Sequence, residues 1–159
     1  NDGLYGDIHT VAVDSRDSRR LYATTGRGFF LSQDAGRSWR QVREGLTRSY
    51  AVPLLVNLDD ADTIFTAAAA GPPPMWSSGH GGAHAMMYRS EDRGISFAPI
   101  EAEHAWGRGM VMRLKRDPEG GAFFGVSNDG NVIRAMDRGC AAMSIAEKLP
   151  PAYDLAILP

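Results

Sequence analysis

The chain has 159 residues and a single cysteine, Cys140, so no internal disulfide can form and a disulfide-stapled scaffold is excluded. Long hydrophobic runs are missing too: none approaches the roughly 20 residues a bilayer-spanning helix needs, which predicts no membrane span. Charge of one sign is not in excess, with 17 basic against 19 acidic residues and a formal net charge of -2. No stretch concentrates Lys and Arg into a phosphate-binding stripe, so nucleic acid is not an expected partner. There is no phosphate loop, no dinucleotide fingerprint and no Gly-x-Ser-x-Gly elbow, and no cofactor is expected. The first residues, Asn1, Asp2 and Gly3, form neither a translation start nor a basic-then-apolar leader, which reads as a processed or excised piece. A lone cysteine fits either side of a membrane, and the compartment stays open. What remains, 43% hydrophobic and 23% charged residues with 18 Gly and 9 Pro, is the profile of a globular chain.

Self-similarity is what this composition hides. Ser32-Gln33-Asp34-Ala35-Gly36-Arg37-Ser38-Trp39 and Ser90-Glu91-Asp92-Arg93-Gly94-Ile95-Ser96-Phe97 share Ser, Asp, Gly and Ser at the same offsets, and both close on an aromatic. A third copy keeps only Asp137 and Gly139. Gly36 and Gly94 lie 58 positions apart, Gly94 and Gly139 only 45. The difference is the 14-residue tract of Pro, Gly, Ser and His from Gly71 to His84, an insertion in the second unit. The unit is therefore about 45 residues, the length of one four-stranded propeller blade.

Strand patterns fill the units. The first carries short apolar and β-branched runs at 8–14, 21–25, 29–32 and 38–42, the second at 52–58, 63–69, 85–90 and 96–100, the third at 110–114, 122–126, 132–135 and 142–146. Residues 152–158 read as one further strand. The alanine-rich stretch from Ala61 to Ala70 competes as a helix, but Thr63, Ile64, Phe65 and Thr66 favour strand. The expected fold is all-β, a β-propeller segment of four-stranded antiparallel blades: blade 7–46, blade 50–102 with the insertion 71–84, blade 109–149, and a closing strand 151–158.

The octapeptide resembles the Asp-box, or bacterial neuraminidase repeat, a turn between the third and fourth strands of a blade. Its Asp accepts backbone N–H bonds, its Gly takes a conformation closed to other residues, and its aromatic packs beneath. The resemblance assigns a structural role to Ser32, Asp34, Gly36, Ser38, Trp39, Ser90, Asp92, Gly94, Ser96, Phe97, Asp137 and Gly139. It spans almost the whole chain and is nearest to the bacterial glycosyl-hydrolase-like propellers of the sialidase superfamily whose activity is unassigned. At about 45 residues per blade the chain supplies about 3.5 blades, whereas closed rings use about four to eight. The expectation is the C-terminal half of a roughly seven-bladed ring, with the remaining blades as its partner, or a second copy of the chain completing the ring.

Loops between strands two and three, and those joining blades, should line one mouth of the central channel. There the sequence places Asp7 and His9, Arg27, Arg48 and Tyr50, then Trp76, His80 and His84 in the insertion, then Glu103, His104, Trp106 and Arg108, and finally Asn128 with Asp129. His80 and His84 lie in a flexible Gly-rich loop rather than on one helix face, so no metal is expected. His9, within a strand, reads as a hydrogen-bonding residue. Trp76 and Trp106 are candidates for stacking on a sugar ring.

A retaining sialidase implies an arginine triad, a Tyr nucleophile with a Glu partner, and an acidic Asp; Arg89, Arg108, Arg113 and Tyr88 lie in no such context. The xyloglucan-cleaving relatives imply a catalytic Asp just after the second strand, where this chain has Gly26 within Thr24-Thr25-Gly26-Arg27-Gly28. The carboxylates left to nominate are Asp7, Glu103 and Asp129. The leading expectation is a module binding a glycan, protein or other ligand, with the remaining candidates Arg27, Arg48, Tyr50, Trp76, His80, His84, His104, Trp106 and Arg108 as its contacts. The rival is a glycoside hydrolase whose acid and base lie partly outside this chain.

Overall fold

The computed structural model describes residues 2–57, 60, 62–100, 107–136 and 142–158. Glu103, His104, Trp106, Asp137, Gly139 and Cys140 lie outside the described residues. Among the described residues twelve strands form three antiparallel four-stranded sheets, each in simple meander order. The first sheet holds β1 (Ile8–Val13), β2 (Leu21–Thr25), β3 (Gly28–Ser32) and β4 (Arg40–Val42). The second holds β5 (Tyr50–Val56), β6 (Ile64–Ala69), β7 (Met86–Ser90) and β8 (Ala98–Pro99). The third holds β9 (Val111–Arg116), β10 (Ala122–Ser127), β11 (Val132–Met136) and β12 (Ala142–Ala146). Among the described residues the only helical pieces are two short 3-10 turns in the insertion, Pro73–Trp76 and Ser78–His80.

The period of two along β6 explains how the sheets stack. Ile64 and Ala68 face the first sheet, where they join Tyr22, Phe29, Leu31 and Val42; Phe65, Ala67 and Ala69 face the third, where they meet Leu114, Phe123 and Ala135. All six residues of β6 are buried, because the strand is covered on both faces. Its alanines leave room for large aromatics from the neighbours: Phe65 meets Phe123 at 4.4 Å between ring centroids, and Phe29 meets Phe97 edge-on at 4.8 Å. The outer sheets are half-covered. Val11 and Val13 on β1 and Met143 and Ile145 on β12 face solvent, as expected for sheets with a neighbour on one side only.

Both octapeptides form the same closed turn. Ser32 Oγ donates to Asp34 Oδ1 at 2.9 Å and accepts from Gly36 N at 2.9 Å, while Ser38 gives its N–H to Asp34 Oδ1 and its hydroxyl to Oδ2. Ser90, Asp92, Gly94 and Ser96 repeat every one of these bonds. Two successive residues are left-handed in each turn, Ala35 with Gly36 (φ 61° and 83°) and Arg93 with Gly94 (φ 60° and 74°). The Ser38 hydroxyl and amide, followed by the Ser32 hydroxyl, hold Asp34 down to about 2; at Asp92 burial pushes the other way, yet the Ser96 and Ser90 bonds still lower it. Neither carboxylate has a proton to give near neutral pH.

The second turn also locks two sheets together. Asp14, its side chain fully buried after β1, accepts from the Tyr22 hydroxyl at 2.7 Å and from Arg93 Nε and Nη2 at 2.9 and 2.8 Å. Arg20 Nη2 then donates to the Arg93 carbonyl at 2.8 Å.

The segment 151–158, expected as a strand closing a ring with further blades, has no strand conformation and no ladder partner within these three sheets. It is held instead by Asp154, whose Oδ1 accepts from Arg113 Nε at 3.0 Å.

Candidate functional site

Some of the loops expected at one mouth lie together and others do not. The openings of β1, β5 and β9, the β10–β11 turn and the insertion between β6 and β7 enclose a cleft of about 410 Å³, lined by His9, Tyr50, Val52, Pro73, Trp76, Met112, Asn128 and Tyr153.

A bulge in β5 sets its geometry. The β5–β6 register slips between Ala51 and Leu54, around Pro53, which has no N–H to give a ladder. The carbonyls released there take side-chain donors: Val52 O accepts from Thr10 and Thr24, Pro53 O from Thr66, and Ala51 O from His9 Nδ1 at 2.6 Å. Since a carbonyl only accepts, His9 carries a proton on Nδ1, and its Nε2 faces Tyr50 Oη at 3.2 Å and Asp7 Oδ1 at 3.4 Å. Tyr50 in turn donates to Asp7 Oδ2 at 3.2 Å.

The aromatics form a continuous wall. His9 lies 4.8 Å from the Tyr50 ring, and Trp76 meets Tyr50 edge-on at 5.6 Å and 82°. Trp76 is anchored by its own Nε1, which donates to Gly71 O at 2.7 Å, so the 3-10 turn holds the indole over the cleft. Gly82 and Ala83 tie the far end of the insertion down: Ala83 N donates to Arg108 O at 2.8 Å, and a Cβ on Gly82 would lie 2.5 Å from that oxygen.

The cleft sets aromatic faces and edges beside a single bonded carboxylate among the described residues. Burial, followed by the Asp7 charge and hydrogen bond, pushes the Tyr50 hydroxyl above its ordinary value, the opposite of what an attacking phenolate needs. Asp7 is half exposed and is the one carboxylate among the described residues bonded to the cleft's side chains. Its Oδ2 also fills the space where a side chain at Gly26 would begin, so position 26 cannot bear a second carboxylate while Asp7 stays in place.

The other candidates disperse. Asp129 is spent on the chain: Oδ2 accepts from the amides of Arg108 and Gly109 at 2.9 and 2.7 Å, and Oδ1 from Ser127 Oγ and Asn131 Nδ2. Asn128 lines the cleft while its Oδ1 accepts from Met110 N. His80 Nδ1 is paired with Ser77 Oγ at 2.8 Å, and His84 offers its carbonyl to Arg48 Nε. Among the described residues no three His, Cys, Asp or Glu side chains gather closely enough to hold a metal. Arg27 and Arg48 line a separate groove. Tyr153, read from sequence as part of a strand, is a cleft residue that the sequence did not reveal; only its aromatic character in an otherwise aliphatic segment marked it.

No protein-family profile matches the chain. A xyloglucanase of Hypocrea jecorina (strain QM6a) is 28% identical over 105 residues, which is 66% of this chain and 11% of that protein. Among solved structures, YCF48 bound to D1 peptide superposes with a TM-score of 0.64 at 14% identity, covering 90% of this chain and 41% of that one. YCF48 from Cyanidioschyzon merolae gives 0.61 at 14% identity, covering 87% and 39%. The GH74 enzyme of Niastella koreensis gives 0.64 at 16% identity, covering 88% and 22%. The chain thus spans less than half the length of each of these proteins. At these identities the likeness is one of fold, and the three meandering sheets are a segment of a β-propeller.

Proposed function

We propose that this chain is a glycan-binding part of a larger Asp-box propeller, with the aromatic cleft at its mouth as the binding site. The observation that carries the reading is the cleft itself: a Trp, two Tyr and a His around about 410 Å³, with Asp7 beside them. Aromatic faces and edges suit the apolar faces of sugar rings, and Asp7 and the His9–Tyr50 pair suit ring hydroxyls. The sequence similarity to a xyloglucanase supports a neutral, xyloglucan-type chain as the first ligand to try. The octapeptide turns are Asp-boxes in this reading, and units 7–46, 50–102 and 109–149 are three blades of a roughly seven-bladed ring. Other blades, or a second copy, cover the apolar faces of β1 and β12.

The alternative, a glycoside hydrolase, needs two carboxylates across the scissile bond, and Asp7 is the one carboxylate among the described residues bonded to the cleft's side chains. Titration with xyloglucan oligosaccharides, followed by indole fluorescence and by release of reducing ends, separates the two. Saturable binding that falls by about tenfold or more in Trp76→Ala, with no reducing ends released, is expected. Release of reducing ends that stops in Asp7→Asn would establish the hydrolase instead, and absence of binding would overturn the glycan reading.

A further inference from the structure

Beside the cleft, on the outer side of Gly26, a groove of about 540 Å³ runs between the β2–β3 turn and the segment joining β4 to β5. Three arginines line it, Arg27, Arg43 and Arg48, in a chain whose overall charge is slightly negative. Their held contacts are all to neutral groups. Arg27 lies 4.5 Å over the Tyr5 ring, Arg43 gives Nε and Nη2 to Gln41 Oε1 at 3.0 and 2.8 Å, and Arg48 gives Nε to His84 O at 3.0 Å and Nη1 to Thr47 O at 3.3 Å. Among the described residues no carboxylate forms an ion pair with any of the three.

Three guanidiniums held by neutral partners have no bonded countercharge among the described residues and have N–H groups left to give. That is the arrangement which recognises a planar or tetrahedral oxyanion. Leu46, Val42 and Ala70 add an apolar wall, which suits an anion carried on a ring rather than a bare inorganic ion. Gly26 lines the groove on one side and on the other abuts Asp7 and Tyr50 of the cleft, so one extended ligand reaches both.

We propose that this groove is an acidic-sugar site: it takes the carboxylate of a uronate, or a sulfate ester, on a glycan whose neighbouring rings occupy the aromatic cleft. The inference rests on the glycan reading for the cleft, and the test keeps the two apart.

The full 159-residue chain is titrated with matched oligosaccharides that are neutral, uronate-bearing or sulfated, and with an acidic peptide, at low and high salt. The acidic sugar is expected to bind more tightly than its neutral match and to lose that advantage at high salt. Arg27→Gln and Arg48→Gln should each cost about tenfold in acidic-sugar affinity and leave neutral-sugar affinity alone. Arg37→Gln, an exposed arginine at the opposite end of the first sheet, is the charge-matched control. Uronate and sulfate esters are told apart by which of the two oligosaccharides shows the larger arginine dependence. Equal affinity for neutral and acidic sugars, or an acidic advantage untouched by the arginine variants, overturns the groove while leaving the cleft standing. Arginine-dependent binding of the acidic sugar without neutral binding overturns the cleft and keeps the groove. Equal arginine dependence with the acidic peptide overturns the assignment to sugar.

Discussion

Replacing Asp14 with Asn removes the charge at the centre of the bond network between the first and second sheets. Burial alone raises the pKa of this carboxyl, but the Tyr22 hydroxyl, the Arg16 amide and the Arg93 guanidinium outweigh it and bring it from 3.8 down to about 2. A folded-state pKa below the unfolded one means that the carboxylate stabilises the fold above the unfolded value, and that this contribution fades as the pH falls from about 5 towards 2. The difference of nearly two units corresponds to about 2 kcal/mol at neutral pH, a fair conversion because the side chain is fully buried. Asp14→Asn adds the cost of leaving the Arg93 cation without its partner, and Arg93 is about 30% exposed, so water relieves part of that cost. The expected loss at pH 7 is about 2–3 kcal/mol, or roughly 5–10 °C in the melting midpoint for a chain of this size. Urea unfolding of wild type and variant at pH 7 and at pH 2.5 measures it. The gap should shrink by about 1.5 kcal/mol at the lower pH, because most of the carboxylate's contribution is gone between the unfolded and folded pKa values and the variant has none to lose. A gap that does not change with pH, or one below about 0.5 kcal/mol at pH 7, would refute the argument.

Gly125 lies between the sheets, where an added Cβ would come within 2.7 Å of Ile133 and 3.1 Å of Leu114; Gly125→Ala should cost about 1–3 kcal/mol by urea unfolding without affecting ligand binding. Phe65→Ala, which opens a void against Phe123 between the second and third sheets, should cost about 3–5 kcal/mol, and Phe65→Leu clearly less. Tyr50 should ionise at higher pH than an exposed tyrosine, and Asp7→Asn should bring it back towards the ordinary value by removing the adjacent negative charge; difference absorbance at the phenolate band reads both, and a Tyr50 titration unmoved in the variant would disprove the contact.

The fold was legible because its signals repeat. Each four-strand unit is punctuated by turn residues, and the Ser-x-Asp-x-Gly-x-Ser octapeptide occurs at the same place in two of them, so each copy corroborates the other. The period of two in β6 also outranked its alanine content, since that strand has to present small residues on two buried faces at once. The Asp14–Arg93 link was not legible. Those residues lie 79 positions apart, one in a loop after β1 and the other at the x position of an octapeptide, and nothing local marks either one. Residues 152–158 show the limit of a local pattern: apolar alternation states a capacity to pair, and it does not say with which edge.

The site was legible as a place and not as a set of roles, and Asp129 shows why. As a carboxylate at the mouth it is indistinguishable in sequence from Asp7. In the fold it belongs to Ser127-Asn128-Asp129-Gly130-Asn131, where Ser127 Oγ donates to Asp129 and accepts from Asn131 N, the same pattern that Ser32, Asp34 and Gly36 form at the other end of the first sheet. It departs from the octapeptide in the place of its Gly, in lacking the second serine and the aromatic, and in joining β10 to β11 rather than strands three and four. A Ser-x-Asp pair is thus a device for closing a turn wherever the chain needs one, and its Asp is consumed in doing so. Asp7 has no such serine two residues before it, and its neighbours in space are Tyr50 and His9 rather than its own turn's amides. That difference separates a carboxylate available to a ligand from one already committed to the fold, and it points mutagenesis at the mouth to Asp7 before Asp129.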